Sequence, residues 1–176
     1  MDKIKKIVVS IQFSEKEIEL GELVNDSGEI YFKYYTNFIE LGLEISPLKL
    51  PLNQVINKAE KIPFEGLFGV FNDSLPDGWG RLLLDRKLMA EGILPTDVSP
   101  LDRLAYVGNN GMGALIYRPV KEMSTPKKGV LNLDEIASEL DLVYEGTSVE
   151  IIEFLFNLGG SSGGARPKIF VGYNKS

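Results

Sequence analysis

The sequence predicts an α+β fold, with a small antiparallel β-sheet subdomain first and a helical segment after it. Three observations lead there. β-Branched and aromatic residues crowd Lys6 to Phe13, Glu17 to Val24 and Glu29 to Tyr35. A compact turn string, Asn25-Asp26-Ser27-Gly28, separates the second stretch from the third. From Phe64 onward the composition changes, and apolar residues then recur at helical spacing between glycine, proline and capping residues.

The three stretches read as an antiparallel meander, with Gly28 free to take a positive φ in its turn. Ser46-Pro47-Leu48-Lys49-Leu50-Pro51-Leu52 follows as an extended, apolar segment bracketed by prolines. Proline cannot donate to a strand ladder, so this segment is an edge strand or a covering loop. Phe64 to Phe71 then leads into Asn72-Asp73-Ser74-Leu75-Pro76-Asp77-Gly78-Trp79-Gly80. A helix is expected over Arg81 to Ala90, with Leu82, Leu83, Leu84 and Leu88 on its apolar side and Gly92 as its stop. Asp97 or Ser99, with Pro100 behind it, caps a second helix over Leu101 to Val107. Gly108 to Gly113 is a tight turn and Ala114 to Tyr117 a short strand. The polar stretch Glu122 to Gly129 is the best linker. Beyond it, Asn132 or Asp134 begins a helix through Leu140, and Thr147 or Ser148 caps another through Leu158. A glycine-rich loop and a strand close the chain.

Composition limits the chemistry. Among 176 residues, 19 Lys and Arg face 25 Asp and Glu, for a net charge of −6, and His and Cys are both absent. That excludes His- or Cys-based nucleophile pairs, imidazole general bases, nearly every zinc site and any disulfide framework. Chemistry must run on carboxylates, Lys, Arg, hydroxyls and backbone amides. The acidic balance disfavours non-specific nucleic-acid binding, and the small clusters Lys3-Lys5-Lys6 and Lys127-Lys128 read as solvated surface. No apolar run approaches a membrane span, and the N-terminal charge-then-apolar stretch has no small-residue cleavage site after it. The cytoplasm is the expected location.

Two strings invite a chemical reading. Gly159 to Lys168 holds four glycines and two serines whose amides can converge on phosphate oxygens, with Arg166 and Lys168 supplying positive charge. It is not a Walker A loop, and a loop leading into a strand suits the nucleotide lid of a protein kinase better. From composition alone, a flexible turn or interdomain linker is the plainer reading. In the second string Asp73 and Asp77 are candidates for an acid–base pair and Trp79 for stacking on a ligand. Its plainer reading, which we prefer, is the start of a helix with Ser74 or Asp77 as cap and Trp79 packed inward. Leu101-Asp102-Arg103 and Tyr34-Tyr35 read as surface charge and sheet packing.

Four segments then converge on one family. Pro47-Leu48-Lys49-Leu50-Pro51-Leu52 resembles a family strand S-x-S-L-P-L, and Phe71 to Arg81 resembles F-x-N-L-L-P-E-G-x-x-R. Gly108 to Leu115 resembles G-x-D-x-x-G-A-L, and Gly160-Ser161-Ser162-Gly163-Gly164-Ala165-Arg166-Pro167-Lys168 resembles G-x-S-x-G-G-A-R-P-K. All four occur in the family's order. The chain thus resembles the HipA-type serine/threonine protein kinases, the toxins of bacterial HipBA toxin–antitoxin systems.

The resemblance implies a HipA-like N-terminal domain over residues 1–121, β-rich to about residue 60 and helical from about 61. A linker at 122–131 and the start of a kinase-like N-lobe at 132–176 would follow. Ser161 matches the serine that such kinases autophosphorylate, in preference to its neighbour Ser162. Gly163, Gly164, Ala165, Arg166, Pro167 and Lys168 match the segment that covers ATP. ATP and Mg²⁺ are the implied cofactors of the full kinase, and neither is expected to bind this chain tightly by itself. The implied partners are a HipB-like helix-turn-helix antitoxin and a protein substrate of the aminoacyl-tRNA synthetase type. DNA would be reached only through the antitoxin, and no membrane is involved.

One departure stands out. Phosphoryl transfer by a kinase needs a catalytic Asp followed by an Asn that holds Mg²⁺, and a second metal-binding Asp. No Asp here has an Asn five residues on, and there is no Asp-Phe-Gly. No residue of these 176 is therefore assigned as catalytic or as a metal ligand. The chain is expected to be the front of a longer kinase. The alternative is a non-catalytic module that docks an antitoxin or a separately encoded kinase core.

Overall fold

The computed structural model describes residues 3–111 and 113–121, together with Ile152, Leu155 and Phe156. The chain divides into two compact units, Met1–Leu75 with Val98–Lys121, and Pro76–Asp97 with Glu122–Ser176. The expected linker at 122–131, the helix expected from Asn132 or Asp134 and the glycine-rich loop lie outside the described residues; of the helix expected through Leu158, only Ile152, Leu155 and Phe156 are described, and they are helical.

The first unit is built on a five-stranded antiparallel sheet. Strands β1 (Lys6–Phe13), β2 (Lys16–Asp26) and β3 (Glu29–Tyr34) form the expected meander. A two-residue strand β4 (Asn57–Lys58) and a short β5 (Leu115–Arg118) flank it, in the order β4-β3-β2-β1-β5. The β2–β3 turn follows from its residues. Ser27 and Gly28 take φ of 53° and 87°, the primed-turn geometry that matches strand twist, and the Asn25 side chain accepts the Gly28 amide at 3.0 Å.

The meander is not regular throughout. Val9 pairs with Gly21 but Ser10 pairs with Glu19, so β2 carries an extra residue, a β-bulge at Leu20. The bulge resets which face each residue takes, so Leu20 and Leu23, three positions apart, are both fully buried. Gly21 is required here. A Cβ would meet the Lys33 carbonyl oxygen and would lie 2.7 Å from the Phe32 ring.

Helical pieces supply the other side of this core. Helix α1 (Thr36–Ile39) contributes Phe38, α2 (Gly69–Asn72) contributes Phe71, and α4 (Pro100–Val107) contributes Leu101, Leu104, Ala105 and Val107. They join Ile7, Val9, Leu23, Phe32 and Tyr34 from the sheet in one buried cluster. At its centre Phe32 meets Tyr34 edge-on at 4.8 Å and Phe71 at 5.0 Å, and Tyr34 stacks on Phe38 at 5.8 Å.

The chain reaches α4 through the expected signals: Ser99 is its N-cap, Pro100 opens the first turn, and Asp102 completes a capping box. Leu101-Asp102-Arg103, expected as surface charge, is buried instead, Asp102 fully and Arg103 to 5 % exposure. Position N3 of a capped helix points its carboxylate back at the helix start, and here that start lies inside the unit.

The second unit holds α3 (Gly78–Ala90) and a 3₁₀ turn at Pro95–Asp97. Helix α3 begins three residues before the expected Arg81, because Gly78-Trp79-Gly80 is already helical. Gly80 lies close to Pro76, where a Cβ would come within 2.8 Å of the proline ring. The C-terminus is the expected glycine stop: Gly92 has φ 76°, its amide reaches the Met89 carbonyl, and the Ile93 amide reaches back to Leu88. Trp79 is buried with Leu83, Ile152 and Leu155.

Candidate functional site

The residues between α1 and α2 carry most of the apolar surface left open in the first unit. After Gly42 (φ 66°), Ser46 to Leu50 closes a tight loop by the Leu50 amide reaching the Ser46 carbonyl at 2.8 Å. The Pro47–Leu52 motif is thus a covering loop, not a strand of the sheet. Leu50 anchors it in the core at 1 % exposure, and its carbonyl accepts the Tyr34 hydroxyl at 3.0 Å. Burial pushes that hydroxyl up to about 12, so it remains a donor throughout the physiological range. Leu48, at the tip, is 94 % exposed.

Exposure continues along the segment. Of the ten large apolar residues exposed among those described, seven fall between Leu41 and Phe64, including Val55, Ile56 and Ile62. Solvent-facing apolar residues gathered in one stretch mark a contact surface more often than scattered ones do. Two of them, Ile62 and Phe64, line a groove of about 170 Å³ together with Pro63, the buried Leu67 and Phe68, and the charged Lys49, Lys58 and Glu60. Lys58 is tied to Glu29 at 2.6 Å. The neighbouring backbone is already satisfied: Asn53 accepts the Val55 amide and the Asn57 amide group donates to the Val55 carbonyl, both at 3.0 Å.

The opposite face of the sheet is dressed with ion pairs. Arg118 grips Glu17 with two hydrogen bonds at 2.9 and 3.2 Å, Lys6 meets Glu22, and Tyr31 donates to Glu29 at 2.9 Å. The Arg118 contact holds the Glu17 carboxyl below its usual range, and Lys58 does the same for Glu29. Such pairs hold a solvated face in register and contribute little stability each.

The expected site residues sort as follows. Ser161 and Gly163, Gly164, Ala165, Arg166, Pro167 and Lys168 lie outside the described residues. Asp73 is exposed just beyond α2, and Asp77 is the N-cap residue of α3. Trp79 is buried at 2 % exposure, in line with inward packing. Ser74 caps nothing in α3; its hydroxyl accepts the Tyr117 hydroxyl at 2.6 Å, fastening the Phe71–Leu75 motif to β5. Burial raises the Tyr117 hydroxyl well above its ordinary value.

Asp102 is the residue that sequence reasoning missed. Burial by itself would raise its carboxyl, but hydrogen bonds from Ser99, Lys121 and the Ile4 amide outweigh burial and hold it below its ordinary value. Its signal was present as Ser99-Pro100-Leu101-Asp102, a capping-box spacing just ahead of an apolar run. Among the described residues no group of three or more Asp and Glu is placed to hold a metal ion, and no helix is long and apolar enough to cross a membrane.

Comparison with known proteins points to the same family. A family model, the HipA N-terminal domain, matches residues 12–118, from the end of β1 to the end of β5. Searches of curated proteins and of solved structures return no match. The matched span takes in strands β2 to β5, the covering loop, the Phe71–Arg81 motif and the Gly108–Leu115 turn. The chain belongs to the HipA N-terminal domain family, the family of the N-terminal part of HipA-type toxins in toxin–antitoxin pairs.

Proposed function

We propose that this chain is the front of a HipA-like serine/threonine protein kinase that phosphorylates a translation component of the aminoacyl-tRNA synthetase type. A HipB-like helix-turn-helix antitoxin would hold it inactive. The observation that carries the reading is the HipA N-terminal domain match over residues 12–118, followed in sequence by the Gly160–Lys168 string. Gly163 to Lys168 would cover ATP, whose γ-phosphoryl group is the one transferred, and Ser161 would take the autoregulatory phosphate. These assignments rest on sequence, and no step of the reaction is assigned to a described residue.

The groove between the covering loop and α2 supports a docking role for this portion. Its apolar base and exposed wall, with Lys49 at the rim, suit a protein partner that brings apolar side chains. The same feature favours the second reading, in which the chain docks an antitoxin or a separate kinase core without catalysis.

The test is co-expression of the complete gene with the helix-turn-helix protein encoded beside it. Growth arrest by the toxin alone, relieved by the neighbour, is expected, together with phosphate on Ser161 after incubation with ATP and Mg²⁺. The 176 residues by themselves should transfer no phosphate. A complete gene product that binds its neighbour yet never acquires phosphate would leave only the docking reading standing.

A further inference from the structure

Asp102 does more than start α4. Its side chain is fully buried, and its two oxygens divide the donors between them. Oδ2 accepts the Ser99 amide at 3.0 Å and the Ser99 hydroxyl at 2.6 Å, closing the helix cap. Oδ1 accepts the Ile4 amide at 3.0 Å and the Lys121 ammonium at 2.9 Å. One oxygen therefore receives the segment ahead of β1 and the segment behind β5. Each segment is also held close by: the Lys5 carbonyl accepts the Asn25 amide at 2.8 Å, and the Lys121 amide reaches the Ala105 carbonyl at 2.8 Å. The Lys121 ammonium in addition lies over the Tyr106 ring at 5.5 Å.

We infer that Asp102 is a latch that couples the two ends of this unit, so that releasing either one loosens the other. The physical reason is the dry setting. Both donors are strong because no water competes for the carboxylate. If the Ile4 segment lifts, water reaches Oδ1 and the Lys121 pair becomes a weak, solvated one. If Lys121 leaves, the buried charge has no countercharge, and opening toward water by the Ile4 segment is the nearest relief. Such coupling must run equally in both directions. Since Lys121 is where this unit hands the chain on toward residue 122, a partner that grips Lys3 to Lys5 would loosen that exit.

Native-state hydrogen exchange on the full chain tests this. Lys121→Met keeps the aliphatic stem and removes the ammonium. It should raise exchange of the Ile4 amide by about tenfold or more and leave the Leu23 and Phe32 amides as they were. Ile4→Pro deletes the donor and should raise exchange of the Lys121 amide by a similar factor. An unchanged amide at the far end in either variant overturns the coupling. If a variant loosens the whole sheet, the unmodified chain in rising denaturant decides. The Ile4 and Lys121 amides should then follow one shared opening, ahead of the sheet, whereas two separate openings overturn the latch.

Discussion

The sheet core and the segment from Leu41 to Phe64 are both rich in large apolar residues, yet one buries them and the other displays them. In β1 to β3 the apolar residues fall on one face because strand geometry alternates, and Ile7, Leu23 and Phe32 are all fully buried. Between α1 and α2 no period governs the chain. Prolines and glycines break it into turns; Leu50 and Ala59 are buried in the core and Ile45 and Leu52 pack partly against it, while Leu48 and Ile62 remain in solvent. Apolar content alone does not make a core; periodicity does. A surface that presents bulky apolar groups without burying them is therefore built by breaking the period.

The comparison is broken most sharply by truncating on each side of it. Phe32→Ala, at the centre of the aromatic cluster, should cost about 3–5 kcal/mol in denaturant unfolding. Leu48→Ala should stay within about 0.5 kcal/mol. Comparable losses at the two sites would show that the loop tip is core after all.

A smaller effect probes the buried charge. The Asp102 carboxyl sits below its ordinary value of 3.8 in the folded chain, so its stabilisation is complete above that pH. It is lost as pH falls through the lowered folded value. Asp102→Asn should lose about 2–4 kcal/mol at neutral pH, and the gap to the unmodified protein should narrow as the solution is acidified below about 4. Thermal melts across that range check it, and a gap independent of pH would mean the charge is not what stabilises. Tyr117→Phe removes the hydroxyl that reaches Ser74 and should cost about 1 kcal/mol by the same melts.

The smallest stability change should carry the largest binding change. Leu48→Asp or Ile62→Asp should leave the melting temperature nearly unmoved, since both residues are solvent-facing. Ile62→Asp, in the groove lining, should weaken capture of the helix-turn-helix partner about tenfold or more if the groove is its docking surface, and Leu48→Asp should do so if the contact also covers the loop tip. Undiminished capture by both variants would move the docking surface elsewhere.

What was legible follows the same division. The meander, its Asn25–Gly28 turn, the Ser99–Pro100 cap and the Gly92 stop were readable because each rests on local chemistry: alternation, positive φ, a side-chain cap. The bulge at Leu20 was not, because the crowding of its neighbour Gly21 comes from Lys33 and Phe32 on the next strand, outside any local window. Strand β4 and helices α1 and α2 are too short to show a period, and α3 began early because two glycines beside Trp79 hid its first turn. The burial of Asp102 depends on donors from both ends of the unit, which no local window contains. The candidate groove was visible only as its Pro47–Leu52 border. The residues assigned to nucleotide and phosphosite, Ser161 and Gly163 to Lys168, come from motif order alone.

Asn53, ahead of β4, and Asn57, its first residue, carry a consequence for solubility. A short edge strand next to exposed Val55 and Ile56 offers a template on which strands of other molecules stack. Asn53 and Asn57 engage the Val55 amide and carbonyl with their own side chains, so Val55 offers that edge no free backbone amide on which another strand could pair. At Val55 a partner would therefore have to engage the side chain rather than extend the sheet, which removes one route by which an exposed apolar edge seeds aggregation.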